Sequence, residues 1–257
     1  MRRLIFLVIA ASCVLGSAAA TAAGTLTLCY ERREVLPWRT LDGQGLNFEL
    51  LREVSQRTGV QFDYRGMPWK RCLEAIKANA VDGGIAVSFY PARLAVGAYP
   101  GGAHPDRAKR MNVGGYMLVR RRGSAIDWDG KAFRHVDGKI GFQLGYSVGE
   151  FLRSRGVPTD EGSQQPEELA QKLAAGRLAA AAFGAADAQR LAHGPFSAQL
   201  EVLPVPLLQQ DYYLMLSHAM LARDPQLASR LWNEVGAVRT SPAYARLEAS
   251  KVEPEWR

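Results

Sequence analysis

The order of elements constrains this chain more than any single motif, because a strand–helix–strand–helix–strand alternation runs once and then begins again. Thr25 to Tyr30 reads as a strand, with Leu26 and Leu28 alternating against threonines. A loop follows through Pro37-Trp38 to Gly43 and Gly45. Leu46, Leu50, Leu51 and Val54 then take helical spacing over 46–58, and Gly59 stands at the usual C-terminal stop. Val60 to Tyr64 alternates as a second strand. Pro68 opens another helix at its favoured first position, with Trp69, Cys72, Leu73, Ile76 and Ala80 on one face. Val81 to Val87 is a short buried strand. Strands separated by helices need crossover connections, so the pattern predicts an α/β lobe built on a parallel sheet.

The second unit starts with a strand from Tyr116 to Arg120 and a polar loop over 127–138. Lys139 to Gln143 is a strand ended by Gly145, and Ser147 can cap a helix that reaches Arg155. A helix from Glu167 to Ala175, a strand from Leu178 to Phe183, a helix from Ala185 to Ala192 and a strand from Leu200 to Val205 follow. A separate strand, Tyr212 to Ser217, and helices around 226–238 and 242–249 close the chain. Periodicity leaves open whether this tail belongs to the second lobe or returns to the first.

The first 23 residues have a different character. Arg2 and Arg3 precede an apolar run, Leu4 to Leu15, broken only by Ser12, and then small residues from Ala18 to Ala23. Ala20-Thr21-Ala22 and Thr21-Ala22-Ala23 both offer a small-x-small cleavage site. This predicts a secretory signal peptide over 1–23, its apolar run too short to span a bilayer comfortably. The formal charge of +7 falls by two with this leader, since Arg2 and Arg3 go and no acid goes with them. The remaining surplus is dispersed apart from Arg120-Arg121-Arg122. That cluster is not interleaved with stacking aromatics, so no nucleic-acid partner is expected. Cys29 and Cys72 remain after cleavage. Export permits a disulfide between them, and two buried free thiols are the alternative.

Several segments carry a resemblance. Gly45-Leu46-Asn47-Phe48-Glu49-Leu50-Leu51 after the first strand, a Trp opening the next helix, and Val81-Asp82-Gly83 occur in order. Ser88-Phe89-Tyr90-Pro91-Ala92-Arg93 looks like a Thr-x-Thr-Pro-Glu-Arg segment with proline and arginine in register. Ile140-Gly141-Phe142-Gln143-Leu144-Gly145-Tyr146-Ser147 looks like a strand followed by a Gly-Thr turn. In order and spacing the chain resembles the family-3 extracellular solute-binding proteins, and Pro68-Trp69-Lys70-Arg71-Cys72 is similar to one branch of them. The resemblance implies an α/β, two-lobed type II periplasmic-binding-protein fold, with two mixed sheets flanked by helices and joined by a two-strand hinge. Lobe one would comprise residues 24–115 and 211–257, and lobe two the inserted 116–210. The chain would cross near 111–115 and 209–211, and the lobes would close by hinge rotation over a small-molecule ligand. It also implies a periplasmic monomer that works with the membrane permease of an ABC transporter, without cofactor or metal and without enzyme activity. Two alternatives stay open: a periplasmic enzyme like the cyclohexadienyl dehydratases, and a ligand-sensing partner of a membrane receptor.

Arg93 leads the candidate binding residues, because a planar guanidinium fork matches a carboxylate and a closing cleft shields the pair from solvent. The resemblance assigns it that clamp role, with the Ser88 hydroxyl and the Ala86 backbone beside it. Trp38 and Trp69 could wall the pocket, although Trp69 sits on an apolar helix face that suits core packing equally. Glu31 falls at a strand end. Gln143, Tyr146 and the Ser147 amide gather at a strand end and helix N-terminus, a natural anion or carbonyl site. One departure stands out. Gly184 replaces the Asp that, in the resembled amino-acid binders, holds the ligand's ammonium, so an ordinary α-amino acid is doubtful unless Glu31 or Asp187 substitutes. The four histidines are scattered without metal-ligand spacing, and no nucleophile elbow or phosphate loop is present.

Overall fold

The computed structural model describes residues 24–252, so the segment read as a signal peptide, 1–23, lies outside the described residues. β1 (Thr25–Glu31) runs parallel to β2 (Gln61–Met67) on one side and to β3 (Gly83–Ser88) on the other. Two helices make the crossovers. α1 (Leu46–Thr58) buries Leu46, Phe48, Leu50, Leu51 and Val54. It stops where Gly59 takes φ 74°, a left-handed turn that glycine adopts without steric penalty. α2 (Trp69–Lys77) turns Trp69, Cys72 and Ile76 inward.

β4 (Asn112–Arg121) leads into the second unit. Where a polar loop was expected, β5 (Asp127–Trp128) and β6 (Phe133–Arg134) pair as a short hairpin. β7 (Ile140–Gln143) lies parallel between β8 (Thr159–Ser163) and β9 (Ala180–Gly184), joined by α3 (Val148–Ser154) and α4 (Pro166–Ala174), with α5 (Ala185–Ala192) after β9. β10 (Leu200–Leu216), α6 (His218–Arg223), α7 (Pro225–Arg239) and α8 (Pro242–Ala249) complete the chain. The strand order is β2-β1-β3-β10-β4-β9-β7-β8. The two expected sheets are therefore hydrogen-bonded into one through β10 and β4, the long antiparallel strands that serve as the two-strand connection. At the crossing Gln209, Gln210 and Asp211 pair with Gly115, Gly114 and Val113.

The sequence suggested two strands where the structure has the single β10, and proline explains why. Pro204 and Pro206 interrupt the β pattern, yet the β4 pairing shifts register on both sides of Pro206. Irregularities of this kind accommodate a residue with no N–H to give. The tail packs against α1 and the end of β10. Trp232 of α7 donates to the Leu214 carbonyl at 2.8 Å, Tyr244 of α8 donates to the Leu46 carbonyl at 3.1 Å, and Leu231, Val235 and Val238 join the core around α1. On the other side of β1, Cys29 and Cys72 form a disulfide with Cα atoms 5.7 Å apart, buried among Ile76, Val81 and Val87. Separate cores fill the far end, one around Phe142 and Trp128 and one around Leu169 and Phe183. Among the described residues no helix is long and apolar enough to cross a membrane.

Gly83 shows how tightly the near end is assembled. It pairs with both Leu28 and Leu216, and a Cβ there would be driven into the Met215 carbonyl oxygen. Backbone cannot swing aside as a side chain can. Gly83→Ala is expected to lower stability by about 2–3 kcal/mol in urea unfolding, whereas Gly24→Ala, with open space around it, leaves the midpoint in place. Equal midpoints for the two variants would contradict this packing.

Candidate binding cleft

A cavity of about 540 Å³ opens between the two ends of the sheet, within the size range of small-molecule sites. Glu31, Arg33, Trp38, Arg39, Trp69, Ala86, Ser88 and Arg93 line it from the β1–β3 end. Tyr146, Gly184 and Asp187 line it from the far end, and Asn112 to Tyr116 of β4 with Tyr212 of β10 run past both. Ala86 is placed by a bulge. Between Val87 and Gly84 two residues of β3, Ile85 and Ala86, face one of β10, Leu214, and Ala86 takes φ 53°, an uncommon conformation for a residue with a side chain.

Arg93 follows β3 in a short 3-10 turn, Pro91–Ala95, and is 1 % exposed. Its Nη1 donates to the carbonyl and hydroxyl of Ser88 at 2.8 and 2.5 Å, and its Nη2 reaches across to the Gly145 carbonyl at 2.9 Å. The guanidinium carbon stands over the rings of Tyr90 and Trp69, 4.8 and 5.5 Å from their centroids. Nε has no partner. Every hydrogen-bond acceptor it meets is a neutral oxygen, so the cation is buried without a counter-charge. That arrangement favours an anion nearby, because an uncompensated buried charge is costly.

The other charges in the cleft cancel. Glu31 pairs with Arg39, accepts a hydrogen bond from Tyr146 Oη at 2.7 Å, and lies 3.7 Å from Arg33 Nε. Asp187 pairs with Arg33 across the cleft and with Arg190 at 3.2 Å on its own helix. Burial alone would lower the pKa of Arg33, but facing Tyr146, Asp187 and Glu31 raises it overall, so the side chain stays cationic. Burial and the Glu31 charge push the Tyr146 hydroxyl up, and burial does the same for Tyr116 and Tyr212. These hydroxyls meet a guest uncharged. Among the described residues no group of three or more His, Cys, Asp and Glu side chains could hold a metal.

Of the residues singled out in the sequence, Arg93, Ser88, Ala86, Trp38, Trp69, Glu31 and Tyr146 line this cavity together. Trp69 serves both readings: it packs on the inner face of α2 and donates from Nε1 to the Gly145 carbonyl at 3.2 Å. Gln143 and Ser147 do not line the cavity, contrary to expectation. The Gln143 amide is buried and donates to the Gln164 carbonyl ahead of α4. Ser147 is taken up by Ser88 Oγ at 3.0 Å and Gln210 Nε2 at 2.7 Å, and its side chain does not cap α3. Arg33 and Arg39 were not foreseen. Arg33 has one sequence signal, its place just beyond the carboxyl end of β1, where crevices form in open α/β sheets; Arg39, farther along the loop, has none.

An α/β frame with two ends, two crossing strands and a cleft between is the architecture of the two-lobed periplasmic binding proteins, and this chain has that fold. No protein-family model matches the sequence, and no curated protein matches it. Among solved structures it is similar to a histidine kinase sensor domain with similarity to periplasmic binding proteins (18 % identity, TM-score 0.71, covering 91 % of this chain and 99 % of that one). It is also similar to a putative binding component of an ABC transporter from Wolinella succinogenes complexed with lysine (15 % identity, TM-score 0.66, 91 % and 98 % covered). A third is an ancestral amino-acid-binding protein, a precursor of cyclohexadienyl dehydratase (15 % identity, TM-score 0.64, 90 % and 96 % covered). At these identities the likeness is one of fold.

Proposed function

We propose that this chain is an exported solute-binding protein that captures a small carboxylate-bearing ligand in the cleft and does no chemistry on it. In this reading residues 24–115 and 211–257 form one lobe, residues 116–210 the other, and they close over the ligand in the periplasm. The protein works as a monomer and hands its ligand to the permease of an ABC-type transporter. One observation carries the proposal: the Arg93 guanidinium lines the cavity, buried among neutral partners, so a guest carboxylate would supply the charge it lacks. The leader-like first 23 residues support export. A proton-transfer role would require Glu31 to release Arg39 and Tyr146, which supports binding without turnover.

Thermal-shift measurements on the purified protein test this. A ligand at a hundred times its Kd stabilises the native state by about 2.7 kcal/mol, a rise of roughly 5–10 °C for a protein of this size. Carboxylates are expected to give such a rise and polyamines none. A rise with polyamines alone would reject the reading.

A further inference from the structure

We infer that the cleft selects monocarboxylates that carry no ammonium group and have an apolar or aromatic body, and that Arg33 enforces the selection. The inference rests on the carboxylate-binding role proposed above and specifies its ligand. Two acids line the cavity, Glu31 and Asp187, and each already faces a guanidinium of the protein. The Arg33–Asp187 pair matters most, because it spans the cleft. Arg33 follows β1, Asp187 stands in the first turn of α5, and both side chains are less than a tenth exposed. Gly184, the N-cap of α5, carries no side chain, and a Cβ there would stand 3.9 Å from Asp187 Oδ2, so this position adds no third carboxylate. A guest ammonium would therefore lose its water, meet no unpaired carboxylate, and lie among Arg33, Arg39 and Arg93. Both effects oppose it.

The same inventory sets the number of negative charges. Arg33 and Arg39 are balanced by Asp187 and Glu31, which leaves one buried cation, Arg93, for the guest. A second carboxylate on the guest would find only Lys251, which is exposed at the rim. The body of the guest meets Trp38, Val113, Tyr116 and Tyr212. Of these Trp38 and Tyr116 are buried aromatic surfaces suited to flat or branched apolar groups.

Matched pairs that differ only at the amino-bearing carbon test the inference directly. The probes are 3-phenylpropionate against L-phenylalanine and 4-methyl-2-oxopentanoate against L-leucine, titrated calorimetrically into the purified protein. The amine-free member of each pair is expected to bind at least about tenfold more tightly. In Arg33→Ala the cleft loses one cation and Asp187 keeps only the half-exposed Arg190, so the amino acid should gain on its amine-free counterpart by a similar factor. Amino acids that bind as tightly as their partners to the native protein would overturn the inference while leaving carboxylate binding standing. If no carboxylate of any kind binds, both fall together. Should Arg33→Ala not fold, the native comparison alone decides.

Discussion

Replacing Arg93 by alanine is expected to abolish the ligand-induced rise in melting temperature and to weaken carboxylate binding by about thirtyfold or more. Truncating one member of a buried, hydrogen-bonded charge pair costs roughly 2–5 kcal/mol, and each 1.4 kcal/mol is about tenfold in affinity. The side chain also bridges the cleft in the protein itself, so the question is whether the variant still folds. It should, because the carbonyls Arg93 touches keep second donors. Ser88 O retains Tyr99 Oη at 2.8 Å, and Gly145 O retains Trp69 Nε1 at 3.2 Å. Arg93→Lys keeps the charge but loses the fork, and should fall between the two. A melting curve that stays cooperative while the ligand shift vanishes is the expected result. An undiminished shift would remove Arg93 from the site.

Loss of the Cys29–Cys72 disulfide is expected to lower stability by about 4 kcal/mol, as the entropy of a loop of this length implies. The bond spans 43 residues, a stretch that includes all of α1 and β2, and both cysteines are fully buried. Urea unfolding of the Cys29→Ala, Cys72→Ala double variant against the native protein measures this. The effect should extend to the cleft. Cys72 is one turn along α2 from Trp69, which lines the cavity and holds Gly145. A variant with an unchanged midpoint would mean that the surrounding apolar contacts alone hold α2 on β1.

How much of this was legible beforehand varied with the range of the interaction involved. α1 was readable to its last residue, since apolar spacing and the Gly59 stop are written within fourteen residues. β10 was not, because two prolines look like strand breakers until the register shift in β4 shows where they are tolerated. The β5–β6 hairpin was missed because strands two residues long carry no periodicity. In the cleft, Arg93, Ser88 and Ala86 were marked by the resemblance, whose Ser88-to-Arg93 segment is contiguous in the chain. Arg33 did not stand out, since its partner lies 154 residues away.

Sequence alone determined the bounds of α1, the doubled α/β plan and a cation after the third strand. Each of these depends on spacing and turn chemistry within a helix or strand length. Only the tertiary structure decided that the tail packs beside α1, that the two sheets join through β4 and β10, and which charges in the cleft cancel. A carboxylate's meaning depends on whether a guanidinium from the opposite wall reaches it, and chain neighbours carry no record of that distance.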